Sequence, residues 1–297
     1  MGFINQLGSR LGLTEKSNPS NEISQIIPIS GEPSRCDRSE CLNAFRSNCF
    51  KLNSEDEATT LWESAKPFDF HILVSTGNHD WKHDAFDLPG TVLESINDFD
   101  YQRYGTVKLN VTSMAMPCTE SQYKKLQKAD VLIMPYFVWV RGITTANCDK
   151  ALVEVLDILA AKHGSFKDLP KEIEGATLEA DIFKSRVFLC SHRTRDKRCG
   201  KTAPIMKKEF DAQLRDMGYY RDIGDNRPNG VSVDFVNHVG GHKFAANVLI
   251  YNKGGEFAWF ARCTPLNVRP IINETILKGK VFPQITRTAK KYHAVNW

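Results

Sequence analysis

The sequence lacks the short motifs that mark several large enzyme classes. It contains no C-x-x-C pair, no G-x-S-x-G, no Walker loop and no G-x-G-x-x-G. These absences count against a thioredoxin-type dithiol enzyme, a serine hydrolase and the common nucleotide-binding folds. A pair of carboxylates placed for glycoside hydrolysis cannot be located either.

Long hydrophobic runs and a strong charge imbalance are also missing. No run approaches the ~18–20 apolar residues of a membrane span. The longest, 131–140, contains Pro135 and predicts a buried strand. A net charge of +4 over 297 residues is mild and does not indicate a nucleic-acid partner. The composition therefore predicts a globular protein with no membrane span, long enough for two domains.

Eight cysteines occur without a secretory signal peptide, which predicts a reducing compartment. The N-terminus, M-G-F-I-N-Q, lacks the Ser or Thr that a myristoylation signal has at its sixth position. It is also poorer in arginine than a mitochondrial presequence. The cytoplasm is the expected location, with the nucleus also admitted and mitochondria less favoured.

Two cysteines and two histidines form the most informative pattern. Cys190 and Cys199 are separated by eight residues, and H-V-G-G-H (238–242) follows after a further 38. Structural zinc knuckles place their cysteines about two to four residues apart. Gly240 and Gly241 disfavour the helix that carries closely spaced zinc-binding histidines. Two flexible loops with two donors each are typical of a larger centre, such as a [2Fe–2S] cluster with Rieske-type ligation.

These motifs resemble the sucrase/ferredoxin-like family of the actin-patches-distal type, which are thioredoxin-like [2Fe–2S] proteins. The resemblance continues through V-F-L-C-S-H (187–192) and H-V-G-G-H-K-F-A-A-N-V-L-I-Y (238–251), and is looser over the first two-thirds of the chain. A cluster of this kind predicts a one-electron carrier or redox sensor rather than an enzyme with its own substrate, and the resemblance implies a role in resistance to oxidants or metals. It implies four cluster ligands: Cys190, Cys199, His238 and His242.

Rieske analogy assigns the cysteines to one iron and the histidines to the other. Two imidazoles in place of two thiolates make the site less negative, so the reduction potential is expected to lie above that of all-thiolate clusters. It is also expected to fall as pH rises, because ligating imidazoles can lose a proton.

The sequence predicts an α/β fold with two thioredoxin-like domains. Residues 1–65 are predicted as a mobile N-terminal arm and lead-in, and 66–165 as a degenerate α/β domain without a cluster. Residues 166–180 are predicted as a linker, and 181–297 as the thioredoxin-like cluster domain.

Hydrophobic patterns place secondary structure within these domains. The first domain has predicted strands at 68–75, 107–113 and 131–140 and a helix at 148–162. The second has predicted strands at 186–190, 231–235, 246–251 and 257–262 and helices at 203–217 and 267–278. Cys190 is thus expected at the end of a strand. Cys199 is expected just before a helix, whose N-terminal amides favour thiolate.

Two alternative functions remain open. A structural zinc protein would use the same four ligands. A thiol oxidoreductase would use Cys36, Cys41 and Cys49, which are spaced C-x4-C-x7-C, with the cluster as a sensor. The remaining cysteines, Cys118, Cys148 and Cys263, are expected in the core. A looser set with metal-binding residue types is not expected to form a site, because His71 lies within a predicted strand. The loop that follows is expected to be solvated, with His79, Asp80, His83 and Asp84.

Partners are suggested at two places. Five basic residues lie between the ligand cysteines, His192, Arg193, Arg195, Lys197 and Arg198. They form either a solvated loop or a cationic surface that stabilises a reduced cluster and steers an acidic redox partner. By resemblance, Trp297 is a C-terminal address for the cytosolic iron–sulfur targeting machinery, although Asn296 departs from the usual preceding residue. The electron donor and acceptor are not indicated.

Overall fold

The computed structural model describes residues 18–37, 59–117, 120–162, 169–222 and 224–295. The strands, numbered in chain order, are β1 (Phe70–Ser75), β2 (Val107–Thr112), β3 (Lys128–Met134), β4 (Val138–Thr144), β5 (Glu172–Ile173), β6 (Ala176–Ala180), β7 (Ser185–Cys190), β8 (Val231–Val236), β9 (Val248–Asn252), β10 (Glu256–Phe260) and β11 (Thr286–Lys291). They form one sheet in the order β11-β10-β9-β7-β8-β2-β1-β3-β4-β6-β5. The predicted α/β class is confirmed.

Helices flank the sheet. They are α1 (Pro19–Ile26), α2 (Val92–Asp98), α3 (Ser121–Lys124), α4 (Cys148–Lys162) and α5 (Lys197–Asp216). Shorter 3-10 turns lie at Gln102–Tyr104, His242–Phe244, Pro265–Asn267 and Pro283–Ile285. The predicted helix at 267–278 begins as an α-turn at Val268–Pro270 and continues as a π-helix at Ile271–Ile276. Within the described ranges, no helix is long and apolar enough to cross a membrane.

The run 131–140 does not form the single strand that was predicted. The chain reverses after Met134, and β3 and β4 pair with each other as an antiparallel hairpin. Phe137 in the turn has a φ of +55°. Pro135 has no N–H to donate to a ladder, so the strand ends there.

The two halves of the sheet repeat one strand plan. In the first, the order is β2-β1-β3-β4, with β1 parallel to β2 and antiparallel to β3. In the second, the order is β8-β7-β9-β10, with β7 parallel to β8 and antiparallel to β9. Strands β5 and β6, within the segment 166–180, extend the first half, and β11 extends the second.

The halves meet where β8 and β2 pair at Thr112 and Val236. Three strands separate β1 from β9, yet His71 on β1 and Tyr251 on β9 are in hydrogen-bond contact. The sheet therefore bends at this junction, so that the inner faces of its two halves pack against each other. This interior contains Phe68, Leu73, Leu132, Phe188, Tyr251, Phe257, Trp259, Cys190 and Cys199.

Helix α5 begins earlier than the predicted range 203–217. Asp196 is its N-cap residue, and the Asp196 carboxylate accepts the Arg198 N–H at 2.9 Å. A carboxylate cap satisfies one of the amides that a helix start leaves unpaired, which accounts for a start at Lys197. Cys199 consequently lies in the first turn of α5 and not ahead of it, as the sequence had predicted.

Part of the predicted N-terminal arm is packed on the body of the protein. Ile23 of α1 and the following Ile27 are buried in the main core. Farther along, Ile29 forms a β-bridge with Val281, and the Cys36 N–H donates to the Leu266 carbonyl at 2.8 Å. Residues 18–37 are thus joined to the C-terminal part of the chain.

Candidate metal centre

The thiols of Cys190 and Cys199 lie in hydrogen-bond contact, and both residues are buried and free of disulfides. Cys190 ends strand β7, and Cys199 lies in the first turn of α5. Residues 191–196 therefore form the turn that leads from the strand into the helix. The structure brings together the two cysteines that the sequence selected.

Backbone amides surround both sulfurs. The N–H groups of His192 and Val239 donate to the Cys190 sulfur, and the Ala246 N–H donates to the Cys199 sulfur. Val239 lies between the two predicted histidine ligands, so the loop that carries them rests against Cys190. Amide donors of this kind favour negative charge on sulfur.

The two thiols have opposed proton affinities. The pKa of Cys199 is lowered, chiefly because the Cys190 S–H donates to its sulfur, although burial opposes this effect. The pKa of Cys190 is raised well above its usual value by that same hydrogen bond and by burial. Cys199 is therefore the first of the pair to become a thiolate.

A buried arginine holds the histidine loop. Arg287 on β11 is 2% exposed, and its guanidinium donates to the Gly240 carbonyl at 3.0 Å and to Asn247 Oδ1 at 2.8 Å. The guanidinium also donates to the Ser64 carbonyl at 2.8 Å, and it lies 4.7 Å from the centre of the Trp259 ring. The positive group is thus fixed in place from four sides.

Two cations act electrostatically on the cysteine pair. Burial lowers the pKa of Arg287 to about 10, and Cys190 opposes this shift. The pKa of Lys108 on β2 is lowered by burial and by Arg287, again with Cys190 opposing. Both basic groups are therefore placed to stabilise negative charge at the thiols.

His192 is buried, and it joins three segments. Its Nδ1 accepts the backbone N–H of His238 at 3.1 Å. Its Nε2 lies 3.1 Å and 3.0 Å from the carbonyl oxygens of Trp81 and Lys82, so Nε2 carries the hydrogen and donates. Burial lowers the His192 pKa, which favours this neutral form. The sequence grouped His192 with the loop cations, and its burial corrects that assignment.

The loop between the cysteines also docks on the first half of the chain. The Ser191 hydroxyl donates to the His79 carbonyl at 2.6 Å. Thr194 donates to the Asp80 carboxylate through its N–H at 3.2 Å and through its hydroxyl at 3.1 Å. The segment around residues 79–82 thereby covers the cysteine loop.

The remaining loop cations divide into two groups. Arg195 contacts His83 Nε2 at 2.9 Å, and Arg198 pairs with Asp196 at 2.8 Å. Arg193 and Lys197 are exposed. The exposed pair provides positive charge beside the cysteine loop.

The histidine loop depends on its glycines. Gly240 and Gly241 have φ values of +104° and +78°, a region that glycine enters without strain. A Cβ on Gly241 would lie 2.8 Å from the Arg287 guanidinium and 2.9 Å from the Phe244 ring. The close approach of the loop to Arg287 therefore requires glycine at this position.

The predicted histidines occupy different positions in this loop. His238 follows β8 and is partly buried. His242 opens the 3-10 turn His242–Phe244, and its side chain lies outside the description. The side chains that the structure does describe contain no group of three or more His, Cys, Asp or Glu that could hold a metal ion. The four-ligand set therefore stays a prediction.

The looser sequence set does not gather into a site. His71 is fully buried in β1, whereas His79 and His83 lie on the exposed segment that covers the cysteine loop. The cavity nearest this segment, of about 370 Å³, is lined by Asp80 but by none of these histidines.

Comparison with known families decides the classification. Residues 61–288 match the family described as sucrase/ferredoxin-like, a span that includes all four predicted ligands. The chain belongs to the sucrase/ferredoxin-like family. This sucrase/ferredoxin-like chain is 34% identical to actin patches distal protein 1 of Saccharomyces cerevisiae, over 99% of its own length and 100% of that protein.

A second kind of relative matches over a shorter span. Altered inheritance of mitochondria protein 32 of Debaryomyces hansenii is 35% identical over 111 residues, which is 37% of each chain. The protein of the same name from Clavispora lusitaniae is 34% identical over 109 residues, 37% of this chain and 36% of that one. No solved structure gives a significant match.

Three further cysteines of this sucrase/ferredoxin-like protein are described by the structure. Cys148 and Cys263 are buried and free, as expected for core residues, and burial raises the pKa of each. Cys36 is buried and disulfide-bonded. Several predicted positions lie outside the described residues: Cys41, Cys49, Cys118, Asn296 and Trp297.

Proposed function

We propose that the protein is a one-electron carrier or redox sensor that holds a [2Fe–2S] cluster. The ligands would be Cys190, Cys199, His238 and His242. The observation that carries the proposal is the contact between two buried thiols, with the Val239 N–H of the histidine loop directed at one of them.

The chemistry of the donor set fits such a cluster. Cluster sulfurs are tuned by hydrogen bonds, by burial and by nearby charge. Here three backbone amides donate to the two cysteine sulfurs, and Arg287 and Lys108 supply positive charge. When bound, the cluster would supply a centre that accepts and releases one electron at a time.

The protein's own groups would favour the reduced state. Two thiolates would neutralise the positive charge of an oxidised [2Fe–2S] core. Four thiolates would instead give the oxidised site a net negative charge, which makes reduction harder. The amides of His192, Val239 and Ala246 and the guanidinium of Arg287 would offset the added negative charge. The packed half-sheets would keep water away, which strengthens each of these interactions.

The repeated strand plan supports the proposal that each half is a thioredoxin-like domain. Strand β7 ends in Cys190, whereas the corresponding strand of the first half, β1, ends in Ser75. The first half would thus be the degenerate copy without cluster ligands at this position, and its loops would cover the cluster of the second.

The proposal includes two partners, an acidic redox protein and the cytosolic iron–sulfur targeting machinery. Exposed Arg193 and Lys197 would steer an acidic redox protein to the cysteine loop. Trp297 would serve as the address for cytosolic iron–sulfur targeting, which agrees with a cytoplasmic location. Truncating Trp297 would then lower cluster occupancy in cells but not in protein reconstituted with iron and sulfide.

The test is spectroscopy and metal analysis of protein purified without air. We expect visible absorption, two irons and two sulfides per chain, and a rhombic EPR signal after reduction. Cys190→Ser should abolish the signal, His238→Cys should shift it, and Cys148→Ala, at a buried cysteine on α4, should leave it unchanged. A colourless protein with stoichiometric zinc would instead establish the structural zinc alternative.

A further inference from the structure

A chain of buried polar side chains crosses from the second half of the sheet to the first. The Tyr251 hydroxyl on β9 lies 2.7 Å from Nδ1 of His71 on β1. The other ring nitrogen, Nε2, lies 3.0 Å from Oδ1 of Asn110 on β2. Because Oδ1 can only accept, Nε2 carries the hydrogen, and Nδ1 accepts from the tyrosine. The three residues are at most 1% exposed.

The chain ends on the histidine loop. Because Oδ1 of Asn110 is bonded to His71, Nδ2 of Asn110 faces the histidine loop and donates to Asn237 Oδ1. Nδ2 also lies 3.5 Å from the His238 carbonyl oxygen. Asn237 is held on both sides, because its Oδ1 accepts the Val111 N–H and its own N–H donates to the Val111 carbonyl, each at 3.1 Å.

The chain has one direction throughout. Each member donates to the next, from Tyr251 through His71 and Asn110 to the residues at the start of the loop. Burial lowers the pKa of His71 to about 3, so its ring is neutral near pH 7 and can accept and donate at once. Apolar side chains could fill the same space without the cost of burying polar groups. A fully satisfied polar network instead specifies one arrangement of the segments that it joins.

We propose that Asn110, oriented by His71, is a positioning residue for the second ligand loop. It fixes the backbone at Asn237 and His238, and so the direction in which the His238 side chain leaves the loop. The first half of the chain thereby contributes to the centre without supplying a ligand. The inference rests on the proposed function for the identity of the bound group, but the positioning itself can be measured without that group.

The first experiment is hydrogen–deuterium exchange on metal-free protein, comparing Asn110→Leu with Asn267→Leu. Asn267 is a matched control, because it is 2% exposed and bonded to Ser34 and Thr264, away from the loop. We expect the amides of 237–241 to exchange about tenfold faster in Asn110→Leu than in wild type. They should remain at the wild-type rate in the control. Equal rates in both variants would overturn the proposal.

Tyr251→Phe provides a milder variant should Asn110→Leu fail to fold. It removes one hydroxyl at the far end of the chain and keeps the ring in place. We expect a smaller acceleration at the same amides, because His71 loses its donor and orients Asn110 less firmly. Unchanged exchange at 237–241 in Tyr251→Phe, in the absence of folded Asn110→Leu, would likewise contradict the proposal.

The loaded protein separates this inference from the proposed function. If wild-type protein contains no iron, the proposed function fails, and the exchange experiment still decides whether Asn110 positions the loop. If wild type holds a cluster, Asn110→Leu should lose it to a chelator about 10–100-fold faster and show a shifted rhombic EPR signal. If the cluster in Asn110→Leu keeps the wild-type lifetime and EPR signal, the positioning role of Asn110 is contradicted and the proposed function is not.

Discussion

His192 Nδ1 accepts the backbone N–H of His238 at 3.1 Å, across 46 residues of sequence. This hydrogen bond ties the loop that follows Cys190 to the loop that carries the predicted histidine ligands. Through its Nε2, the same ring holds the segment at Trp81 and Lys82. One buried imidazole thus aligns the three segments that surround the thiols.

His192→Leu should destabilise the protein. The substitution leaves the His238 N–H and two carbonyl groups without their partner, and a buried unpaired polar group costs about 1–3 kcal/mol. Chemical denaturation of the metal-free protein measures the loss. The matched substitution His83→Leu, on the exposed segment, should change the free energy of unfolding by no more than about 0.5 kcal/mol. Equal midpoints for the two variants would contradict the prediction.

Arg287→Met should loosen the histidine loop and lower the reduction potential. It removes the donors to Gly240, Ser64 and Asn247, which should cost about 3 kcal/mol of stability. It also removes a positive charge that would favour a reduced cluster. Thermal unfolding and redox titration measure the two effects.

Arg287→Lys separates charge from geometry, because lysine keeps the charge but cannot reproduce the guanidinium fork. We expect Arg287→Lys to have a reduction potential close to that of wild type, but a free energy of unfolding close to that of Arg287→Met. The exposed Arg227→Met serves as control, and a potential that is the same in Arg287→Met and Arg227→Met would refute the electrostatic role.

His71 should make stability depend on pH. Its pKa is about 3 in the folded protein, against an ordinary value of 6.5. Between these values the unfolded chain binds the proton and the folded chain does not. Stability should therefore fall as pH falls below about 6.5, by up to about 1.4 kcal/mol per pH unit.

His71→Gln removes this contribution, so its unfolding free energy should decline less steeply than wild type between pH 6.5 and pH 4.5. Urea titrations across that range provide the measurement, with exposed His293→Gln as control. Parallel curves for wild type and His71→Gln would show that His71 does not contribute.

Replacing Arg193 and Lys197 with glutamine should slow electron transfer from an acidic plant-type ferredoxin at low salt. The double variant removes two exposed charges beside the cysteine loop, and the difference should disappear at high salt because salt screens steering. Lys124→Gln with Lys125→Gln removes the same charge at the C-terminal end of α3. Stopped-flow reduction rates that fall equally in both double variants would indicate a general charge effect and not a docking surface.

Sequence patterns located the regular parts of the fold well. Helix α4 was predicted at its observed limits, because its apolar residues recur at helical spacing and Gly164 follows. Strand β11 was missed, since T-R-T-A-K-K has almost no hydrophobic residues. Its Arg287 is nevertheless buried, because partners distant in sequence, in Ser64, Gly240 and Asn247, satisfy the guanidinium.

The residues of the candidate site also differ in how far the sequence predicts them. Spacing was enough to select Cys190 and Cys199, because a strand end and a helix start are local features. The roles of His192, Arg287 and Asn110 depend on hydrogen bonds to segments far along the chain, and no local pattern reports such partners. His192, a buried histidine two residues after Cys190, looks in the sequence like one more charge in a basic loop.

The short pairing of β8 with β2 has a mechanical consequence. It is the seam along which the two halves of the molecule would part under force, because β1 with β2 and β7 with β8 pair along their whole lengths. Parting there would pull Asn110 from Asn237 and separate the faces that enclose the thiols. The contact between the two halves therefore also shields the sulfurs from oxidants. A force applied to either end of the sheet would separate the halves and expose the thiols.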